Sequence, residues 1–178
     1  EFLMAMNEEL LIDLIKDAFT NNKKIASSIH EKSLNLYRTY LITGGMPESV
    51  QNMVNTNGDY IKYDKTILKD ILSFYFKDMN KYVTNETEAL KISRVYNSLP
   101  TQLANNSNKF QYSKIDKNAR AREYETSLDW LEASNMVLKS TSVKTPEIPL
   151  AGFVDNEVFK LYLSDVGILN NILGISME

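Results

Sequence analysis

The sequence predicts a mainly α fold, a helical bundle followed by a smaller α+β module with a small β-sheet. Three observations predict it. Apolar residues recur at one-face helical spacing over roughly the first hundred residues. Beyond Lys109 that spacing gives way in places to apolar–polar alternation, the period of strands. Clusters of glycine, proline and asparagine mark the stops between elements. At 178 residues, 43% hydrophobic and 24% charged, the chain has the length for one large or two small packed domains and the composition of a folded protein.

The first element is an amphipathic helix over residues 8–20, in which Leu10, Leu11, Leu14, Ile15, Ala18 and Phe19 share one face. Asn21-Asn22-Lys23-Lys24 ends it. A second helix opens at Ser28-Ile29-His30-Glu31, a capping box in which hydroxyl and carboxylate satisfy each other's unpaired N–H groups. It runs through Leu34, Tyr37, Tyr40 and Leu41 until Thr43-Gly44-Gly45 stops it. Pro47 suits the first position of a short helix reaching about Val54, where it has no N–H to lose. Asn55-Thr56-Asn57-Gly58 has the look of an EF-hand loop, but Met53 stands at the first ligand position and Asp64 replaces the closing Glu, so it reads as a turn. The longest helix is expected from about Tyr60 to Tyr82, with Leu68, Ile71, Leu72, Tyr75, Phe76 and Met79 as its apolar stripe, bridging two modules.

Asn85 caps the next helix, with Glu88 three residues on; Ile92, Val95, Tyr96, Leu99 and Leu103 form its buried face and Pro100 kinks it. Phe110-Gln111-Tyr112 alternates like a short strand, Ser113 to Asn118 is a turn or brief helix, and Ala121 to Ser134 is helical with Tyr124, Leu128 and Leu131 inward. Met136 to Val143 and Val158 to Leu163 are extended, and Pro146 to Pro149 between them forbids helix. Helix, short strand, helix, helix, strand, long turn, strand is the order of a winged helix. Ser164 then caps a last helix reaching Gly174. The expected divisions are 1–58, a helical bundle; 59–84, the bridging helix; 85–163, the winged-helix-like module; and 164–178, a terminal helix.

Several chemistries are absent from the residue inventory. With no cysteine there is no disulfide, thiolate metal site or cysteine nucleophile, which points to a reducing cytoplasm. A single histidine, His30, leaves no H-E-x-x-H pair. None of the six glycines precedes lysine, so there is no Walker A loop, and neither G-x-G-x-x-G nor G-x-S-x-G occurs. No Asp or Glu has lysine two positions on, the arrangement of many metal-dependent nucleases. These absences predict no enzyme activity for this chain, and no membrane helix is expected from apolar runs as short as Ala151-Gly152-Phe153-Val154. Net charge −3 and a pI of 5.3 argue against a surface gripping nucleic acid throughout. Glu1-Phe2-Leu3-Met4 has neither an initiator methionine nor a signal-peptide pattern, so the chain reads as a piece cut from a longer protein.

Five segments together carry a family resemblance: Leu36-Tyr37-Arg38-Thr39-Tyr40-Leu41 leading into Gly44-Gly45-Met46-Pro47-Glu48; Lys69-Asp70-Ile71-Leu72; Phe110-Gln111-Tyr112-Ser113; Leu128-Asp129-Trp130-Leu131-Glu132; and Phe159 through Leu169. In this order, over nearly the whole chain, they resemble the prokaryotic AAA-type ATPases with a C-terminal domain of unknown function. The resemblance implies that residues 1–58 are a helical lid, that an N-terminal P-loop core lies before this chain, and that residues 164–178 lead to a nuclease-like domain after it. ATP and Mg belong to the parent protein, with no cofactor in this fragment. It also implies that Gly44, Gly45, Met46 and Pro47 approach nucleotide held by the core, the proline near adenine and the glycines permitting close backbone contact.

Each candidate has a plainer reading beside it. A helix C-cap followed by proline at the first helical position accounts for Gly44 to Pro47 equally well. Arg38 is read as a solvated or ion-paired side chain rather than a phosphate sensor. The winged-helix order invites DNA binding through Lys114, Lys117, Arg120 and Arg122 at the start of the reading helix and Lys139 and Lys144 on the wing. Against it, residues 109–144 hold seven basic and five acidic side chains, and Glu123, Glu125, Asp129 and Glu132 lie on that helix. Trp130 and the tyrosines are read as core, His30 as an exposed polar side chain, and Asp165 and Gly167 as structural. The leading expectation is a non-catalytic portion of an AAA-type ATPase that couples nucleotide state to a macromolecular partner. A protein-interaction or assembly module and a DNA-binding module are the two rivals.

Overall fold

A computed structural model describes residues 1–83, 85–105 and 107–176. The described chain is mainly helical, with eight α-helices and one two-stranded antiparallel sheet. It divides into two compact units. Unit 1 comprises Glu1–Leu72 together with the segment from Asp165 onward, and unit 2 is Ser73–Ser164.

In unit 1, α1 (Phe2–Ala5) packs against α2 (Glu9–Thr20) and α4 (Pro47–Asn55), while α3 (Ser27–Thr43) packs on α4 and on α8 (Val166–Ile172). Leu11, Met53, Tyr63, Ile67, Leu68 and Ile168 are its buried apolar side chains. Each large aliphatic or methionine side chain among them contributes about 1.5–3 kcal/mol when fully buried. The α2 face expected to point inward is only partly covered. Leu11 is buried, but Leu10 is 74% and Phe19 89% exposed, with Leu14 also exposed, because the apolar arc of α2 is wider than the surface the short α1 and its neighbours offer.

Helix starts depart from expectation by small offsets. The backbone turns helical at Ser27, with Ala26 (φ −58°, ψ 141°) in the N-cap position, so Ser28 sits inside the first turn and no side chain caps this end. Pro47 does open α4, behind an extended Met46. Asn57 and Gly58 take positive φ, 54° and 77°, at the C-terminus of α4, where Gly58 N–H donates to the Met53 carbonyl over 3.0 Å. The helix expected to be the longest, α5 (Ile67–Tyr82), has 16 residues against 19 in Glu86–Ala104, and it starts later than Tyr60 because Asp59 and Asp64 bend residues 59–66 into Asx turns by accepting from Ile61 N–H (3.0 Å) and Thr66 N–H (2.9 Å). At the other end of unit 1, Asp165 rather than Ser164 caps α8. Ser164 N–H still donates to the Met136 carbonyl at 3.2 Å, continuing the strand ladder.

In unit 2, α6 (Glu86–Ala104) is capped by Asn85, whose side chain accepts from Thr87 and Glu88 N–H, and it continues through the buried Pro100. Ile92, Val95, Tyr96 and Leu99 of α6 are buried, with α6 packed on α7 (Glu125–Ala133) and on β2 (Val154–Leu163). The expected helix 121–134 is two pieces, a 3-10 turn at Ala121–Glu123 and then α7. β1 (Val137–Val143) pairs with β2 from Val137↔Leu163 to Val143↔Val154, with an irregularity at Thr141/Ser142 that lengthens β2 beyond the expected start at Val158.

Phe110 to Tyr112 is not a strand. Phe110 N–H donates to the Phe159 carbonyl at 2.7 Å, but the Gln102 side chain takes the next donor, Gln111 N–H, at 2.8 Å, and a 3-10 turn begins at Tyr112. What stands in place of a third strand is one backbone hydrogen bond and an aromatic stack, Phe110 on Phe159 with centroids 5.5 Å apart.

Candidate functional site

The Gly44–Pro47 turn is held from both ends of unit 1. α3 stops at Gly44, which adopts φ 71° with its N–H donating to the Tyr40 carbonyl at 2.7 Å. Gly45 N–H then donates to Asp165 Oδ2 at 2.7 Å, while Asp165 Oδ1 accepts from Ile168 N–H at 2.9 Å as the cap of α8. One carboxylate, 6% exposed, thereby joins two helix termini 120 residues apart in sequence. The approach is close enough to demand glycine. A Cβ on Gly44 would stand 2.1 Å from Asp165 Oδ1, and one on Gly167 would stand 2.5 Å from the Gly44 nitrogen.

Among the described residues no buried side-chain nitrogen or oxygen lacks a hydrogen-bond partner. Asn170 Nδ2 donates to the Leu41 carbonyl at 2.7 Å. Ser49 Oγ donates to the Thr43 carbonyl and meets Tyr63 Oη at 2.6 Å, and burial pushes the Tyr63 hydroxyl above its ordinary value of 10.0. Of the residues expected to approach nucleotide, Gly44 is buried and spent on the clasp, Met46 is half-buried, and Gly45 and Pro47 reach the surface.

Gly45 and Pro47 stand at the rim of an apolar groove of about 1130 Å³ within unit 1. Ile12 and Ile15 of α2, Leu34 and Tyr37 of α3, and Val50 and Val54 of α4 form its walls. Phe2 also lines it, its ring tilted against Tyr40 with centroids 5.4 Å apart. The lining holds the carboxylate of Glu1 and the exposed His30, with no lysine or arginine. Nothing in the local sequence signals this groove, because its walls come from helices that each read separately as ordinary amphipathic elements. Arg38, on α3, donates through Nη1 to Asn35 Oδ1 at 3.0 Å.

The candidate nucleic-acid residues of unit 2 fall into two groups. Lys114, Lys117, Arg120 and Arg122 are exposed, and among the described residues no carboxylate forms an ion pair with any of them. The wing lysines are engaged instead. Lys139 Nζ lies 4.9 Å from the centre of the Phe159 ring and 4.0 Å from Glu132, and Lys144 lies 3.5 Å from Asp155. On α7, Glu125, Asp129 and Glu132 are exposed, while the buried Ser127 donates to Glu88 Oε1 at 2.6 Å. Burial, with the nearby Glu125 charge, pushes the Tyr112 hydroxyl above its ordinary 10.0. Tyr124 is buried and Trp130 half-buried, so these aromatics serve packing. Among the described residues no three His, Asp or Glu side chains gather as a metal site.

A family model described as a domain of unknown function (DUF8612) matches residues 34–178. The chain belongs to that family. No curated protein and no solved structure matches it. The DUF8612 region contains both halves of the clasp, Gly44-Gly45 and Asp165-Val166-Gly167, together with all of unit 2. It leaves out α1 and α2, which supply one side of the groove.

Proposed function

We propose that this DUF8612 chain is a non-catalytic portion of an AAA-type ATPase that couples nucleotide state to a macromolecular partner. The observation that carries this reading is the Asp165 clasp, which binds Gly45 N–H beside the exposed Pro47 at the edge of an apolar groove. A rim held in this way presents bare backbone and a flat ring, the surface a lid turns toward a nucleotide base. The P-loop core, with ATP and Mg, would come from the parent protein.

The test is MgATP titration of the parent protein. A strand followed by G-x-x-x-x-G-K-[ST] is expected upstream of Glu1, and Pro47→Ala is expected to weaken nucleotide binding severalfold without unfolding unit 1. A parent lacking that motif, or one whose nucleotide affinity ignores Pro47, overturns the reading.

DNA binding by unit 2 is the second reading, favoured by the four exposed cations Lys114, Lys117, Arg120 and Arg122 and opposed by the acidic face of α7. Anisotropy of labelled duplex DNA at two salt concentrations decides it. Four phosphate contacts predict a log–log salt slope of about −3 to −4, and no binding at low salt removes the reading.

A further inference from the structure

We infer that β1 pairs along its open edge with β1 of a second copy of this chain, antiparallel about a two-fold axis at Thr141, so that two hairpins form one four-stranded sheet. The hydrogen-bond pattern shows which backbone groups are available. Ser164 N–H donates to the Met136 carbonyl and Lys144 N–H to the Phe153 carbonyl, which places the bonded pairs at even-numbered residues of β1. Lys139, Thr141 and Val143 therefore turn their N–H and C=O groups away from β2. Phe159, opposite Thr141, shows the same phase, since its carbonyl points outward to Phe110 N–H. Among the described residues no third strand covers the edge of β1. Proline, a bulge or an outward lysine commonly guards such an edge. Here β1 has no proline, the extra residues of the irregularity lie on β2, and the Lys139 ammonium is turned onto the Phe159 ring.

The register selects the occupant. Val137 is only 1% exposed, so its outward groups are shut off and the accessible edge is Lys139, Thr141 and Val143. A second copy centred on Thr141 sets Thr141 against Thr141 and, on either side of the axis, Lys139 against Val143, so that each accessible residue exchanges backbone hydrogen bonds. A threonine pair is itself favourable across strands. Centring on Lys139 would oppose two ammonium groups, and centring on Ser140 would set Val143 against the buried Val137. The edge is thus complementary to itself in one alignment. On the solvent face that alignment sets Ser140 beside Ser142 and carries the hairpin tip, with Ile148 95% exposed, past Leu138, 56% exposed. Pairing at this edge requires neither nucleotide nor DNA, so it stands apart from both functional readings.

The chain has no cysteine, so single introduced cysteines report the alignment. Ser140→Cys and Ser142→Cys chains, mixed and oxidised, are expected to form a disulfide dimer at least severalfold faster than either chain alone. In this alignment the two positions face each other in a pair without backbone bonds, where side chains come closest. Sedimentation of the unmodified chain is expected to show a dimer that grows with concentration. Val143→Lys, which sets a like charge against Lys139 on both sides of the axis, weakens that dimer severalfold, and Val143→Glu strengthens it severalfold at low salt. Lys139→Pro, which removes an outward N–H and none that bonds β2, abolishes it. Should that variant fail to fold, the two Val143 variants decide. A chain monomeric at every concentration, which would leave the edge to a strand of another protein, overturns the inference. So do equal crosslinking in the mixture and in the single chains, Val143 variants that behave alike, and a dimer indifferent to Lys139→Pro.

Discussion

Asp165 ties two segments of unit 1 together, and removing it leaves Gly45 N–H and Ile168 N–H without this acceptor. Asp165→Ala is expected to cost about 1–3 kcal/mol, chiefly the lost cap on the buried Ile168 N–H with a smaller part from the exposed Gly45 N–H, read as a lowered urea midpoint. Gly167→Ala presses a methyl onto the Gly44 backbone and should cost about 1–3 kcal/mol or more. Tyr63→Phe removes the 2.6 Å contact with Ser49 and is expected to cost about 1 kcal/mol near neutral pH. It also flattens the pH dependence of stability. The wild-type hydroxyl is held above 10.0 in the fold, so its contribution is complete below pH 10.0 and falls as pH rises beyond it. Asp165 and Gly167 could be recognised in the sequence as structural, but the partner of the carboxylate could not, because the contact spans 120 residues.

The elements most legible in advance were those whose signals are local. Asn85 with Glu88 announces the start of α6, and Asn85→Ala is expected to lower stability by about 1 kcal/mol in thermal melts of unit 2. Where an alternative local hydrogen bond competes, the periodic signal misleads. Asp64 is such a case: its carboxylate accepts from Thr66 N–H at 2.9 Å and Thr66 Oγ at 2.8 Å, delaying α5 until Ile67. Those two bonds hold the carboxyl below its ordinary 3.8, so the support is present above pH 3.8 and lost as pH falls through the lower folded value. The Thr66 amide should therefore shift in NMR spectra as that window is crossed, and Asp64→Asn should abolish the shift. Gln102 plays a similar part at Phe110 to Tyr112, drawing off the donor that a third strand needs. Apolar alternation records which side chains face inward but says nothing of a side chain competing for the ladder.

At the scale of the whole molecule, the mainly α class and the late two-stranded sheet follow from periodicity alone, whereas the membership of the two units does not. Among the described residues no helix is long and apolar enough to cross a membrane. Unit 1 is discontinuous, and a chain truncated after Ser164 is expected to lose protection from hydrogen exchange over α3 and α4 while α6 and α7 of unit 2 keep theirs. Protection retained across α3 and α4 would show that the Asp165 clasp is dispensable.

The discontinuity reaches back to synthesis on the ribosome. Gly45 waits for 120 further residues to be translated before its carboxylate partner exists, and the whole of Ser73–Ser164 is made in the interval. The nascent α3–α4 pair therefore spends several seconds without its closing piece, at elongation speeds of about 5–20 residues per second, with bare apolar flanks open to chaperones.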